Sequence, residues 1–174
     1  RNVTGVQTCA LPICWQRHVV VANTPQIVNQ AMADIDGDGI PEIAFESSFA
    51  MQAANSAGIV WLAKHDGDPA QPWKVQQIDK FPTSHHIVFA DLDGDGKLEL
   101  LNAPLIGEKS LAPGYDQDKA SVFWYDQKDW KRHLITDQIP GIIHRVRPVK
   151  WDGNARDQFI VASFEGIVLY RASG

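Results

Sequence analysis

The sequence predicts an all-β fold: a partial β-propeller of two to three four-stranded antiparallel blades, an open fragment. Three observations predict it. An acidic loop, Asp34-Ile-Asp36-Gly-Asp38-Gly39-Ile40-Pro-Glu42, recurs almost letter for letter as Asp91-Leu-Asp93-Gly-Asp95-Gly96-Lys97-Leu-Glu99. The copies stand 91 − 34 = 57 residues apart, a spacing that marks repeat architectures. Between them run short apolar segments with no helical periodicity, the pattern of strands.

The strands repeat in step with the loops. Trp15-Gln-Arg-His-Val-Val20, Trp73-Lys-Val-Gln-Gln-Ile78 and Trp130-Lys-Arg-His-Leu-Ile135 are one strand in three copies. A second precedes each loop, over residues 27–33, 85–90 and 144–149. A third follows it, as Glu42-Ile-Ala-Phe45 and Glu99-Leu-Leu-Asn102. The fourth is Gly58-Ile-Val-Trp61-Leu, Ser121-Val-Phe-Trp124-Tyr and Gly166-Ile-Val-Leu169-Tyr. Four short strands per period are the content of one propeller blade. The tryptophans, with Tyr125 and Tyr170, supply the bulk that packs one blade against the next.

The loops carry the chemistry. Three carboxylates at alternate positions place hard oxygen ligands around one point, as Ca²⁺ requires. Packed like charges of this kind repel one another without a cation. The sixth-position glycine lets the backbone turn left-handed, so that the seventh residue, Ile40 or Lys97, offers its carbonyl. The expected ligands are therefore Asp34, Asp36, Asp38, Ile40 and Glu42 in one loop, and Asp91, Asp93, Asp95, Lys97 and Glu99 in the other. An EF-hand would need a bidentate Glu at position twelve, where Phe45 and Asn102 stand. The closing acid comes at position nine, so these loops join strands. A third copy, residues 150–158, is degenerate: Lys150 replaces the first acid, Ala155 the glycine and Gln158 the closing acid. No calcium is expected there, with the Lys150 ammonium standing in for the cation.

At these loops the chain resembles the FG-GAP/VCBS-type β-propellers, whose blades carry D-x-D-G-D-G-x-x-E-[IL] calcium loops at strand junctions. The resemblance covers residues 15–174 and is weakest at the third loop. It implies a fold and two structural calcium sites, but it fixes activity poorly, since the family spans integrin α-chain propellers, secreted bacterial proteins and carbohydrate-active lyases.

Residues 1–14 read differently. Val3-Thr-Gly-Val-Gln-Thr-Cys-Ala-Leu-Pro-Ile13 back-translates into a sequencing-adapter primer, so this stretch is expected to be non-native and is set aside. Both cysteines, Cys9 and Cys14, fall within it, which removes disulfide, zinc-finger and thiol chemistry from the native part. Without Arg1 the formal net charge moves from −5 to −6, an acidity that argues against nucleic acid as a partner. No apolar run approaches the ~20 residues that span a bilayer. The remaining 174 − 14 = 160 residues hold fewer than three periods, whereas propellers typically close with about four to eight blades. Blades are thus expected to be missing on both sides, leaving an open wedge with exposed blade faces. Extracellular or periplasmic residence follows from calcium loops of this kind, whose weak sites fill where the ion is millimolar.

Two further features bear on function. The long segments 47–57 and 103–120 emerge at one level of the repeat, where loops build a functional face for a carbohydrate or protein ligand. Six residues before each loop stand Val28, His85 and His144, and one further on Asn29, His86 and Arg145. These begin the innermost strand, so His85, His144 and Arg145, with Arg147 behind, would face a shared channel. Histidine suits acid/base work near neutral pH and arginine clamps carboxylates or hydroxyl-rich ligands. The alternative is that His85 and His86 cap a strand end on backbone groups. His18 and His133 read as surface positions, and His65 as a solvated turn residue.

Residues 87–91, the loop from Pro104 to Tyr115, and His144-Arg-Val-Arg-Pro148 are also similar to the propeller of aldos-2-ulose dehydratases, lyases of oxidised sugars that carry metal ions in the propeller. That resemblance implies His85 or His144 as acid/base, Glu108 and Tyr115 approaching the substrate, and a second divalent metal in the channel.

Overall fold

A computed structural model of the chain describes residues 8–10 and 13–172, with the side chains of residues 8–14 outside the description. Thirteen strands form among the described residues. A hairpin of β1 (Thr8–Ala10) and β2 (Ile13–Trp15) comes first. The first large sheet is β3 (Asn29–Ala33), β4 (Glu42–Ser47), β5 (Ile59–Lys64) and β6 (Lys74–Lys80). The second is β7 (Ser84–Ala90), β8 (Glu99–Pro104), β9 (Lys119–Tyr125) and β10 (Arg132–Pro140). The third is β11 (Ile143–Val149), β12 (Gln158–Ser163) and β13 (Gly166–Tyr170). Each large sheet is an antiparallel meander in chain order, and the only helical turn among the described residues is a 3₁₀ turn at Ala53–Asn55. The all-β expectation holds, as three antiparallel sheets.

The repeat is kept in the register. Ala33 pairs with Glu42, Ala90 with Glu99 and Val149 with Gln158, so each acidic loop closes the same hairpin at the same point. Beyond it the fourth strand of the first two periods pairs on the far side, with Phe45 opposite Trp61 and Asn102 opposite Phe123.

The middle sheet is covered on both faces, which explains why β8 reads Glu-Leu-Leu-Asn-Ala-Pro and is buried at every residue. Alternate side chains on a strand point to opposite faces. Ile87, Phe89, Leu100 and Tyr125 face the first sheet and pack on Ala44, Val60 and Leu62. Leu101, Ala103, Ala120, Val122 and Ile139 face the third and pack on Ile143, Val146, Phe159 and Val161. Burial of each large aliphatic side chain in these layers contributes about 1.5–3 kcal/mol. Tyr125 also links the sheets through polar groups, donating to Asp79 Oδ2 at 2.9 Å and accepting from Asn102 Nδ2 at 3.0 Å. The first strands of the sheets, β3, β7 and β11, lie beside one another.

Two expectations are corrected. Residues 16–20 form no strand. The matching β6 and β10 each pair with the strand before them, β5 and β9, whereas among the described residues no strand pairs with 16–20; the Val20 carbonyl instead accepts from the Trp73 amide at 2.8 Å. Trp15 and Trp151 are largely exposed rather than packed between sheets. Trp61, stacked on Phe45, and Trp124, against the core beneath the third sheet, do supply packing bulk.

Candidate metal centre

Each acidic loop is wound by its own carboxylates. In the first, Asp34 Oδ1 accepts from the Gly37 and Asp38 amides at 2.8 and 3.1 Å, and Oδ2 from Gly39 at 2.9 Å. Asp38 Oδ1 accepts from Ile40 at 2.8 Å, and Glu42 Oε2 from Ile35 at 3.0 Å. The second loop repeats this: Asp91 takes Gly94 and Gly96 at 2.7 and 3.2 Å, Asp95 takes Lys97 at 2.8 Å, and Glu99 takes Leu92 at 2.7 Å. Short acidic side chains bind nearby amides in this way and turn the chain. The sixth-position glycines sit at φ +87° and +88°, the left-handed region where L residues are strained.

The winding gathers oxygens. Asp34, Asp36 and Glu42 each present a carboxylate oxygen within 4.8 Å of the others, and so do Asp91, Asp93 and Glu99. Glu42 and Glu99 are the deep members, 1 % and 5 % exposed as first residues of β4 and β8. Burial pushes the carboxyl pKa of both up, and the neighbouring aspartates push it further. Such a cluster favours either a proton or a cation. Three oxygens, two from aspartates at loop positions one and three and one from the buried glutamate at position nine, fit a hard divalent ion. Asp38 stands apart: its Oδ2 lies 2.9 Å from His65 Nε2. His65 is accordingly not a solvated turn residue; its side chain is buried against Trp73 and tied to the loop.

The three loops differ in the cations the protein supplies. Lys64 Nζ lies 3.4 Å from Asp36 and 3.7 Å from Glu42. At the second loop exposed Lys97 lies 3.9 Å from Asp95, and the Arg156 guanidinium donates from Nε to the Asp93 carbonyl at 2.8 Å. In the third, the Lys150 ammonium donates to the Ala155 carbonyl and lies 3.1 Å from Asp157, while Asp152 is bound by Gln158 at 2.7 Å and Arg171 at 3.4 Å. Sequence reading passed over Lys64, although the pairing of Ala63 with Ile43 puts the next residue opposite Glu42, a cross-strand ion pair.

Burial lowers the His86 pKa, and His85, Arg145 and His144 all lie close enough to lower it further, while Glu108 and Tyr115 belong to the long loop. His85 meets the Phe49 ring edge-on at 5.0 Å, on the side of the first sheet, while exposed His144 lies 6.1 Å from Phe164 in the third. Arg145 lines a groove with His86, Asn29 and Arg147. Glu108 lines a different groove with Phe81, Asp116 and Asp118, in which no histidine takes part. The Tyr115 amide donates to the Leu111 carbonyl within the long loop. His86 is not held as a backbone cap alone; its Nδ1 stands 3.3 Å from the Asn29 side-chain amide. Among the described residues, the two loops are the groups of three or more ligating side chains, and the inner-strand histidines form none. No described helix is long and apolar enough to cross a membrane. No protein-family model matches the chain, and no curated protein matches it.

Proposed function

We propose that the chain is a calcium-stiffened piece of a propeller of the FG-GAP/VCBS type, serving as a binding or scaffold module of a secreted protein. The observation that carries this reading is the duplicated carboxylate triad: Asp34, Asp36 and Glu42, repeated 57 residues on as Asp91, Asp93 and Glu99 with the same hydrogen-bond ladder and the same closing pair. Calcium would be held by these six carboxylates, with Asp38, Asp95 and the carbonyls of Ile40 and Lys97 completing the set. Its role is electrostatic: it offsets the burial and mutual repulsion that raise the Glu42 and Glu99 carboxyl pKa values. Neutralised, each loop fixes the register of the two inner strands it joins. Further blades on both sides, a carbohydrate or protein ligand on the loop face, and residence where calcium is millimolar belong to the same proposal.

The module reading is preferred to a dehydratase because the carboxylate triads are duplicated in geometry as well as in sequence, whereas the inner-strand histidines belong to no such group of ligating side chains among the described residues. Calorimetric titration with Ca²⁺ tests the proposal. Two sites are expected, with slower amide exchange in β4 and β8 on loading; an absence of binding at millimolar calcium would remove it.

A further inference from the structure

Asn29, His86 and Arg145 hold the same place in the three repeats, each five residues before the first position of its loop (34 − 5, 91 − 5 and 150 − 5). Because β3, β7 and β11 are neighbours, these residues form a row across three sheets. The Asn29 amide is oriented by the Gln30 N–H, which donates to its Oδ1 at 2.8 Å. Its Nδ2 therefore faces β7, donating to the His85 carbonyl at 3.0 Å and standing 3.3 Å from His86 Nδ1. An amide nitrogen has only hydrogens to offer, so Nδ1 accepts and the ring proton resides on Nε2.

That N–H is left over. His86 is 8 % exposed and its Nε2 has no hydrogen-bond partner. Burial, with smaller contributions from His85, Arg145 and His144, lowers the ring pKa to about 4; the Ile143 carbonyl pulls the other way but completes no hydrogen bond to Nε2. The imidazole is thus a neutral donor at ordinary pH. The groove beside it, of ≈ 360 Å³, is lined by His86, Asn29, Gln30, Arg145 and Arg147 over a floor of inner-strand apolar side chains, and no acidic residue borders it. Arg132 and Arg171 are held in ion pairs with Asp79 and Asp152, whereas the exposed Arg145 and Arg147 guanidinium groups have no such partner among the described residues. In a chain of net charge −5, two unpaired arginines along an acid-free wall call for an acceptor-rich ligand.

We propose that this groove binds a small organic acid through its carboxylate, with Arg145 and Arg147 taking the carboxylate oxygens beside the neutral His86 ring. Arginine forks match a planar carboxylate. Phosphate sites draw mainly on backbone amides in nests or at helix N-termini, and among the described residues no helix N-terminus borders this groove. The volume suits a molecule of sugar-acid size. The inference goes beyond the calcium reading and does not need it, since every residue involved lies on a strand.

The test titrates the whole chain with gluconate, glucuronate and citrate, with neutral glucose and inorganic phosphate as comparisons, following calorimetric heat and the His86 imidazole NMR signals. At least one carboxylate is expected to bind at millimolar concentration or better and to move the His86 signals, while glucose does neither. Arg145→Ala and Arg147→Ala should each weaken binding about tenfold, and cooperative unfolding of each variant establishes that it folds. Failure of all three acids to bind, binding unchanged in the double variant, or tighter binding of phosphate than of any carboxylate would overturn the proposal. Carboxylate binding in a chain that takes up no calcium would leave it standing and remove only the metal reading.

Discussion

Asp157 and Asp91 exchange two hydrogen bonds across the gap between the third and second sheets. The Asp91 amide donates to Asp157 Oδ2 at 2.9 Å, and the Asp157 amide returns one to the Asp91 carbonyl at 2.6 Å. Arg156 beside it donates from Nε to the Asp93 carbonyl at 2.8 Å. The degenerate third loop is therefore a clasp on the intact second loop, and Asp157 joins that loop to the Lys150 ammonium.

Asp157→Ala removes the side-chain half of the clasp and leaves Lys150 without its carboxylate. A loss of about 1–2 kcal/mol is expected, read as a lower urea midpoint. Asp157→Asn, which keeps an acceptor for the Asp91 amide, should lose less.

Tyr125→Phe takes one hydroxyl from between the first two sheets. Tyr125 is fully buried, and its hydroxyl joins Asp79 on β6 to Asn102 on β8. Phenylalanine leaves Asn102 with Ser84 Oγ at 2.9 Å and Asp79 with Arg132 at 3.5 Å. A cost of about 1–3 kcal/mol follows from the lost hydrogen bonds in a dry site, measured by thermal unfolding.

Glu46 sets a pH dependence. It is 0 % exposed, neither carboxyl oxygen has a partner, and burial raises its pKa well above 4.5. A raised folded-state pKa means that the unfolded chain releases this proton first. Its contribution is thus fully present below the unfolded pKa and is lost as pH rises through the folded one. Glu46→Gln should leave stability near pH 4 little changed and raise it at pH 8 by about 1–3 kcal/mol. A pH–stability curve on both proteins shows it.

His86 acts with the opposite sign. Its pKa falls from 6.5 to about 4 on folding, so stability is intact above 6.5 and declines as pH drops toward 4. His86→Gln should flatten that acid limb, by at most about 3 kcal/mol before water penetration is considered. Acid unfolding monitored by circular dichroism measures it.

Much of this was legible beforehand, for definite reasons. The acidic loops were readable because metal-type loops and their glycines are local: Asp34 and Gly39 act within one turn of chain. The strands were readable because β-branched and aromatic runs recur at the loop period. What stayed hidden depends on which strand lies beside which. Lys64 reaches Asp36 and Glu42 only because β5 pairs with β4, and Asp157 reaches Asp91 only because the third loop stacks on the second. Residues 16–20 carry the pattern of β6 and β10, yet form no strand, since a strand pattern without a neighbour to pair with does not make a sheet. The inner row was half legible. The repeat register put Asn29, His86 and Arg145 in line, but the preceding row of His85 and His144 looked the more chemical, and the bulge between Ser84 and His86 breaks the simple alternation by which facing is read.

Lys64 separates the two intact loops. A protein cation already lies beside Asp36 and Glu42, so Lys64→Met should tighten divalent binding at the first loop about twofold to fivefold, the scale of a partly exposed ion pair, and leave the second loop unchanged. Terbium luminescence in Glu99→Gln and Glu99→Gln/Lys64→Met proteins isolates the first site.

The duplicated triads are tested most directly by calcium titration of the parent chain, Glu42→Gln and Glu99→Gln in one calorimeter series. Two sites in the parent and one in each variant are the expected result. A parent that takes up no calcium at millimolar concentration, or variants that bind as many ions as the parent, would contradict the metal-centred account.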